Sequence, residues 1–299
     1  MKPAIRQHNG SFREVSDAAT GTVGSDSQLE ERVRPADVVF LLAVPCVLLA
    51  VFLLPVSVRQ GLALSYARPT ALTMYASHFV HLQASSLLSN LLVFLLVVSP
   101  ALLASIRSGR RRRFYVVAFT ILLVFPFVLS SLNMLFPRPR IGTGFSGINF
   151  AFVGYLPHAL ADRIEADRPA PTRTARTFLP AVFFVGTAVI VLRMSAPLGV
   201  TPPTGDWLTA IGAGSVLAVG TCVRPVVRRP RPRTRSLVGT VPPLVPFGGA
   251  LFVLVIVAGF PSSGYGGRVI INVFLHFLGY SLGYLVPYVA FRVLEAKFD

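Results

Sequence analysis

Long apolar runs alternate with short, arginine-rich polar connections along most of this chain. A helix that crosses the hydrocarbon core of a bilayer needs about 20 mostly apolar residues, with a range of about 17–25, so the runs predict about eight transmembrane helices. The predicted spans are residues 37–56, 84–106, 114–136, 145–161, 178–193, 207–222, 244–260 and 269–291. The fourth run contains small and polar residues, which favours a helix buried among other helices over one that faces lipid.

The composition excludes an ordinary soluble domain. Hydrophobic residues make up 53% of the 299 residues, charged residues only 13%, and the mean hydropathy is +0.66, whereas soluble domains usually carry about 25% charged residues. We therefore expect an all-α, polytopic bundle of membrane helices. The two cysteines are too few for a disulfide framework.

Polar segments at the two ends predict a division of the chain into three parts. Residues 1–36 are polar and lack the short apolar core of a cleaved signal peptide, so we expect a flexible cytoplasmic tail. Residues 37–292 form the predicted transmembrane domain, and residues 293–299 form a short cytoplasmic C-terminal end.

Basic residues predict the orientation, because cytoplasmic loops are enriched in Lys and Arg. With the N-terminus inside, eight spans place the basic loops 107–113, 162–177 and 223–235 inside. The outer connections keep only Arg59, Arg68, Arg138, Arg140, Arg193 and Arg268. We therefore expect a multi-pass cell-membrane protein with both termini in the cytoplasm. Topology and anionic lipid head groups account for the net charge of +16, so no nucleic-acid partner is implied.

Acidic residues lie in loops, tails and span edges, and none of the twelve lies in the middle of a predicted span. This pattern disfavours a proton-coupled transporter, which is expected to bury a carboxylate in the membrane, and excludes an intramembrane aspartyl protease, which needs two. A zinc protease would need a His-Glu-x-x-His pair on a helix, which the sequence lacks. Serine chemistry is the remaining route to intramembrane hydrolysis, and no metal or cofactor is implied.

Candidate chemistry lies in three polar segments that interrupt the apolar runs, residues 78–90, 142–147 and 276–283. Three predicted spans separate the fourth span from the last, so Ser146 and His276 both fall in the outer half of the bilayer. A histidine within hydrogen-bond reach can activate a serine hydroxyl. No acidic residue lies at that depth, so only a Ser–His dyad without the carboxylate of a triad is possible.

Small residues follow both candidate groups at helical spacing. His276, Gly279 and Gly283 share one helix face, and the fourth span carries a similar stripe of Gly147, Ala151 and Gly154. Small faces let helix backbones approach closely in membranes. We therefore expect these two helices to be in contact.

Donors for an oxyanion are available on two predicted helices. Ser146 lies at a helix N-terminus, where free backbone N–H groups and the positive dipole end favour an anion, and the glycines of residues 142–147 permit a tight turn. Asn90 can offer a side-chain N–H from the second span, and Ser86 lies one turn before it on the same face. Each residue also has an ordinary structural alternative, namely a packing serine or a hydrogen bond between helices.

These segments resemble those of the rhomboid family of intramembrane serine proteases. Gly144-Phe145-Ser146-Gly147 resembles the family's Gly-x-Ser-Gly nucleophile motif, and the segment from His276 to Gly283 resembles the helix of its catalytic histidine. The stretch from His81 to Asn90 resembles the family's His–His–Asn helix, whose asparagine and second histidine help bind the oxyanion. The resemblance covers residues 75–160 and 265–290.

The resemblance implies a rhomboid-like core with Ser146 as nucleophile and His276 as base. Its implied oxyanion and substrate-binding residues are Asn90, Ser86, His81, Gly144 and Phe145. The chain departs from the family at Ser86, where a histidine is expected, and in the first outer loop, which lacks a Trp-Arg pair. It also has extra spans within residues 178–260.

The sequence therefore predicts a serine endopeptidase that cleaves transmembrane protein substrates near the outer membrane face. Its partners are these substrates and the lipid bilayer, and its oligomeric state stays open. The alternative is a catalytically weak or inactive rhomboid-like pseudoprotease that binds membrane-protein segments, which Ser86 supports and the intact Ser146 and His276 oppose. We further expect His81 to brace the outer loop and His158 to be structural.

Overall fold

The computed structural model describes residues 33–135, 141–166, 176, 178–195, 243–260 and 272–298. This part of the chain is mostly helical, as the sequence predicts. Its α-helices are α1 Pro35–Phe52, α2 Val56–Leu62, α3 Ala71–Ala76, α4 Ala84–Arg107, α5 Arg111–Leu123, α6 Phe125–Asn133, α7 Ser146–Ala166, α8 Leu179–Ser195, α9 Leu244–Gly259 and α10 Val273–Phe298. A 3₁₀ turn, Ser77–Phe79, follows α3.

A two-stranded ribbon, which the sequence analysis does not predict, interrupts the helical pattern. Strands β1 (Leu64–Ser65) and β2 (Ile141–Gly142) are antiparallel, with Leu64 opposite Gly142 and Ser65 opposite Ile141. Because β2 lies just before α7, the ribbon ties the connection between α2 and α3 to the entry of that helix.

Three of the described helices are long and apolar enough to cross a bilayer, namely α1, α4 and residues 273–293 of α10. The pair α5 and α6 would make a fourth span that is bent by 44°. The prediction of about eight spans is therefore not confirmed. Helices α8 and α9 are apolar but shorter, and the predicted span 207–222 lies outside the described residues.

The bend corrects the prediction of one continuous span over residues 114–136. Helix α5 ends at Leu123, and α6 begins at Phe125 with Pro126 in its first turn. Proline has no backbone N–H, and its ring clashes with the preceding helical turn. The first turn of a new helix tolerates it, so the chain restarts there.

Helix α7 lies at the centre of the described part and contacts α4, α8, α9 and α10. Every residue from Gly147 to Asp162 is buried, as expected for a helix surrounded on all sides. The periphery exposes large apolar side chains instead, among them Leu42, Leu88, Phe119 and Val253. Helix α7 corresponds to the fourth predicted span, and it is buried among other helices, as its small and polar residues predict.

Helices α7 and α10 meet through their backbones along a seam of small residues. A Cβ atom added to Gly279 would overlap the carbonyl oxygen of Gly147, and one added to Gly283 would overlap that of Ala151. A Cβ atom on Gly154 would likewise overlap the carbonyl oxygen of Tyr280. The two predicted small-residue stripes therefore lie in contact.

Replacing Gly279 by alanine is expected to destabilise the protein by about 1–3 kcal/mol, because the new methyl group forces the two helices apart. Thermal unfolding in detergent measures the change. The matched control is Gly249→Ala on α9, where an added Cβ meets nothing within 4 Å and alanine should be neutral or stabilising by up to about 1 kcal/mol. Equal unfolding temperatures for the two variants would contradict a tight seam.

Candidate active site

Ser146 is the first residue of α7, and the loop before it is held by two hydrogen bonds. Gly144 has a φ of 112°, a left-handed conformation that favours glycine, and its N–H donates to the carbonyl of Ser77 at 3.0 Å. The N–H of Phe145 donates to Nε2 of His81 at 3.4 Å. These bonds fix the position of Ser146, and they also occupy the backbone donors of Gly144 and Phe145.

The side chain of Phe145 is fully buried and serves as an anchor for the same loop. Its ring centroid lies 5.5 Å from that of Phe79 and 6.0 Å from that of Phe94. The structure therefore places Phe145 in the core beneath Ser146, so that its side chain holds the loop rather than facing a substrate.

His81 braces this region, as the sequence predicts for it, and Arg59 braces His81 in turn. Arg59 is 8% exposed and donates to the carbonyls of His81, at 2.6 Å, and Leu54, at 3.1 Å. Its guanidinium also lies 4.5 Å from the ring centroid of Phe52. No role for Arg59 follows from the sequence pattern; the available signal was a basic residue in a connection predicted to lie outside, where few are expected.

Burial keeps His81 and its neighbour His78 neutral. It lowers the pKa of each histidine from 6.5 to about 4. A neutral ring has one unprotonated nitrogen, and Nε2 of His81 must be that nitrogen because it accepts from Phe145. The hydrogen bond that holds the loop before Ser146 therefore depends on a neutral His81.

His78 and Ser130 are a histidine and a serine in direct contact, but their hydrogen bonds indicate a structural role. Nε2 of His78 lies 3.1 Å from both Ser130 Oγ and the carbonyl of Pro126. Ser130 Oγ donates its own proton to the carbonyl of Met74 at 2.7 Å, so it accepts from His78. The histidine is thus a donor rather than a base, and both side chains are buried.

His276 has the tautomer that a general base requires. Its Nδ1 lies 3.1 Å from the carbonyl oxygen of Gly259, which can only accept, so Nδ1 carries the proton and Nε2 is free to take one. The ring stacks on Phe150 with centroids 4.5 Å apart, and it meets the edge of Phe260 at 5.9 Å. These contacts fix both the plane and the tautomer of a side chain that is 6% exposed.

Gly259 orients His276, and the sequence pattern does not predict this contact. It is the last residue of α9, and carbonyls at a helix C-terminus have no partner within the helix. A carbonyl thereby takes the orienting position that a carboxylate has in a triad. A Cβ atom at this position would overlap the ring of Phe150, so only glycine fits here.

Ser146 and His276 lie at the same end of the α7–α10 seam. Gly147 faces Leu275, since a Cβ atom added to Gly147 would lie 2.9 Å from Leu275 Cγ, and Phe150, one turn after Ser146, stacks on His276. Among the described residues no hydrogen bond joins Ser146 to His276. The structure therefore brings the two residues to the same end of the seam without a direct hydrogen bond between them.

Asn90 is held by its own helix and by α7. Its Nδ2 donates to the carbonyl of Ser86 at 2.9 Å. Asn149 Nδ2 donates to the backbone carbonyl of Asn90 at 2.9 Å and to its Oδ1 at 3.0 Å. The predicted donor Ser86 therefore contributes its carbonyl, while its side chain is half-exposed.

Asn149 leaves part of its amide without a partner inside the described helix bundle. Hydrogen bonds between membrane helices average about 0.6 kcal/mol. The Oδ1 of Asn149 is buried and has no hydrogen-bond partner in the part of the chain that the structure describes, which costs about 1–3 kcal/mol. The sequence analysis missed this residue, although an amide in a buried span is itself a signal of function.

A chain of polar side chains fixes the start of α10. Asn272 Oδ1 accepts from the N–H of Leu275 at 3.1 Å, and its Nδ2 donates to Asn133 Oδ1 at 3.1 Å. Asn133 in turn donates to the hydroxyl of Tyr66 at 2.6 Å. These bonds join α6, α10 and the segment after β1 one turn before His276.

At the other end of the bundle, His158 is structural, as predicted. Its Nε2 donates to the carbonyl of Tyr284 at 3.0 Å. This bond joins α7 to α10 about three turns beyond Ser146.

Comparison of the chain with protein-family models, curated proteins and solved structures finds no match. A fold alone does not specify an activity, so the contacts around Ser146 and His276 are the evidence that bears on function.

The lowered pKa values of His78 and His81 predict a loss of stability in acid. The unfolded chain binds protons at these residues below pH 6.5, whereas the folded protein does so only near pH 4, so the free energy of unfolding should fall as the pH drops between these values. We expect His81→Gln, which keeps an acceptor, to reduce the pH dependence by about 1–3 kcal/mol. Unfolding in detergent from pH 7 to pH 4 tests this; an unchanged slope in the variant would contradict it.

Proposed function

We propose that this chain is a polytopic, rhomboid-type serine endopeptidase that cleaves transmembrane protein substrates near the outer membrane face. The observation that supports it most is the hydrogen bond from His276 Nδ1 to Gly259. This bond leaves Nε2 as a base at the end of the helix seam where Ser146 begins α7.

In the proposed reaction Ser146 Oγ attacks the carbonyl carbon of the scissile peptide bond, and its proton passes to Nε2 of His276. The imidazolium that forms is stabilised by the carbonyl of Gly259 and by the face of Phe150. His276 then returns the proton to the leaving amine, and water hydrolyses the acyl-enzyme by the same route in reverse order.

The oxyanion is stabilised by donors at the start of α7 and by Asn90. First-turn N–H groups of a helix have no partner within it, and the helix dipole favours an anion there. One hydrogen of Asn90 Nδ2 is bonded to Ser86, and an amide nitrogen carries two. The second hydrogen is the side-chain donor in this proposal.

The arginines at the opposite end of the bundle support a membrane protein over a nucleic-acid-binding one. Arg113 and Arg176 pair with Asp162 at 3.1 and 2.7 Å, and Arg111 pairs with Asp37 at 3.4 Å. These side chains tie helices together, whereas phosphate binding needs basic groups gathered on a solvated face. About eight spans with both termini cytoplasmic remain part of this proposal.

A rhomboid-like pseudoprotease is the second candidate. It is favoured by the absence of a hydrogen bond between Ser146 and His276 among the described residues, and by Ser86 at the position where the family has a histidine. Such a protein would bind membrane-protein segments without cutting them.

Cleavage of a transmembrane reporter substrate in liposomes tests the proposal, together with labelling by a fluorophosphonate probe. We expect the wild type to cleave and to be labelled, and Ser146→Ala and His276→Ala to lose cleavage by at least about a thousandfold. Ser130→Ala is the matched control, because it removes the other serine that contacts a histidine. Labelling that persists in Ser146→Ala would refute the assignment, and an inert but folded wild type would favour the pseudoprotease.

Gly259→Ala tests the orienting carbonyl. The added methyl group would overlap Phe150 and displace either the ring or the carbonyl that holds His276, so we expect kcat to fall about a hundredfold with little change in KM. Gly249→Ala, on the same helix but in open space, should retain wild-type kcat. Equal kcat values for the two variants would show that the carbonyl is not needed.

A further inference from the structure

The contact between Asn149 and Asn90 has a single hydrogen-bond pattern, because a backbone carbonyl lies against each amide. The carbonyl of Ser86 can only accept, so the nitrogen of the Asn90 amide must face it. The backbone carbonyl of Asn90 can also only accept, so the nitrogen of Asn149 must face α4. A flip of either amide would bring two oxygens together.

This pattern fixes which side of the Asn90 amide carries donors. Its Oδ1 is turned towards α7 and accepts from Asn149 at 3.0 Å, so its two hydrogens lie on the other side. One is bonded to Ser86, and the second has no acceptor within the described ranges. Asn149 is 1% exposed and Asn90 is 8% exposed, so this orientation is set inside the protein.

Asn149 lies on the same face of α7 as Ser146. It lies three residues after Ser146, and residues at this spacing share a helix face. The amide of Asn90 is therefore held against the first turn of the helix that Ser146 begins. The terminal torsion of an asparagine is broad and roughly two-fold. The carbonyl of Ser86 holds the nitrogen of the Asn90 amide, and the bond from Asn149 holds its oxygen, so the two contacts together restrict this torsion from both sides.

We propose, resting on the proposed function, that Asn149 is a positioning residue that keeps the donor side of Asn90 directed at the oxyanion. A donor that is already oriented needs no reorganisation when charge develops. Asn149 acts through Asn90 and does not touch the substrate.

A double-mutant cycle tests this relationship. Asn149→Leu, Asn90→Ala and the double variant are assayed in liposomes with the transmembrane reporter. We expect kcat to fall about a hundredfold for Asn90→Ala, as for removal of one oxyanion donor, and about tenfold for Asn149→Leu, with KM changed by less than about threefold. The double variant should be no slower than Asn90→Ala, because Asn149 has nothing left to orient.

Multiplicative losses, with the double variant about a thousandfold slower than the wild type, would overturn the inference. The inference would also be overturned if the loss of kcat across the Asn149 variants were explained by a matching loss of unfolding temperature. If Asn149→Leu does not fold, Asn149→Ala takes its place in the cycle. Ser105→Ala is the control on α4; it removes another buried side chain that donates to its own helix, and it should keep wild-type kcat.

Failure of the proposed function is distinguishable from failure of this inference. A wild type that does not cleave the reporter would overturn both. An active wild type that depends on Ser146 and shows multiplicative losses would overturn only the role of Asn149.

Discussion

Backbone contact between α7 and α10 is the constraint on which the rest of the site depends. Gly279 and Gly283 meet the carbonyls of Gly147 and Ala151 without room for a methyl group. Within a bilayer, apolar side chains gain little by leaving lipid for protein, so close packing of small residues takes over the role that the hydrophobic effect has in water. The seam therefore sets the distance between the helix that begins at Ser146 and the helix that carries His276.

Around this seam, the orientation of each polar side chain is set by backbone carbonyls. The carbonyl of Gly259 determines which ring nitrogen of His276 carries the proton. The carbonyl of Ser86 determines which way the side-chain amide of Asn90 faces, and the backbone carbonyl of Asn90 does the same for Asn149. Carbonyls are fixed by the helices that bear them and cannot change protonation. A site without a buried carboxylate can thus still define where its protons lie.

The sequence predicts those features that depend on patterns within one segment of the chain. Apolar runs located most helices, helical spacing of small residues predicted the seam, and His81 was expected to brace the outer loop. Patterns do not report contacts between segments that are distant in the chain, so the ribbon and the roles of Gly259 and Asn149 were missed. Pro126 was visible, but a proline inside an apolar run can kink a helix or end it, and here it begins a new one.

The position of Gly259 at the end of α9 shows a role for this helix that its apolar composition does not indicate. Helix α9 lies between α7 and α10 in sequence. Since its last carbonyl holds His276, α9 contributes to the candidate site although none of the predicted site residues lies on it. Loss of α9 would remove the acceptor that keeps the proton on Nδ1, so a chain shortened there would leave the ring of His276 free to change tautomer.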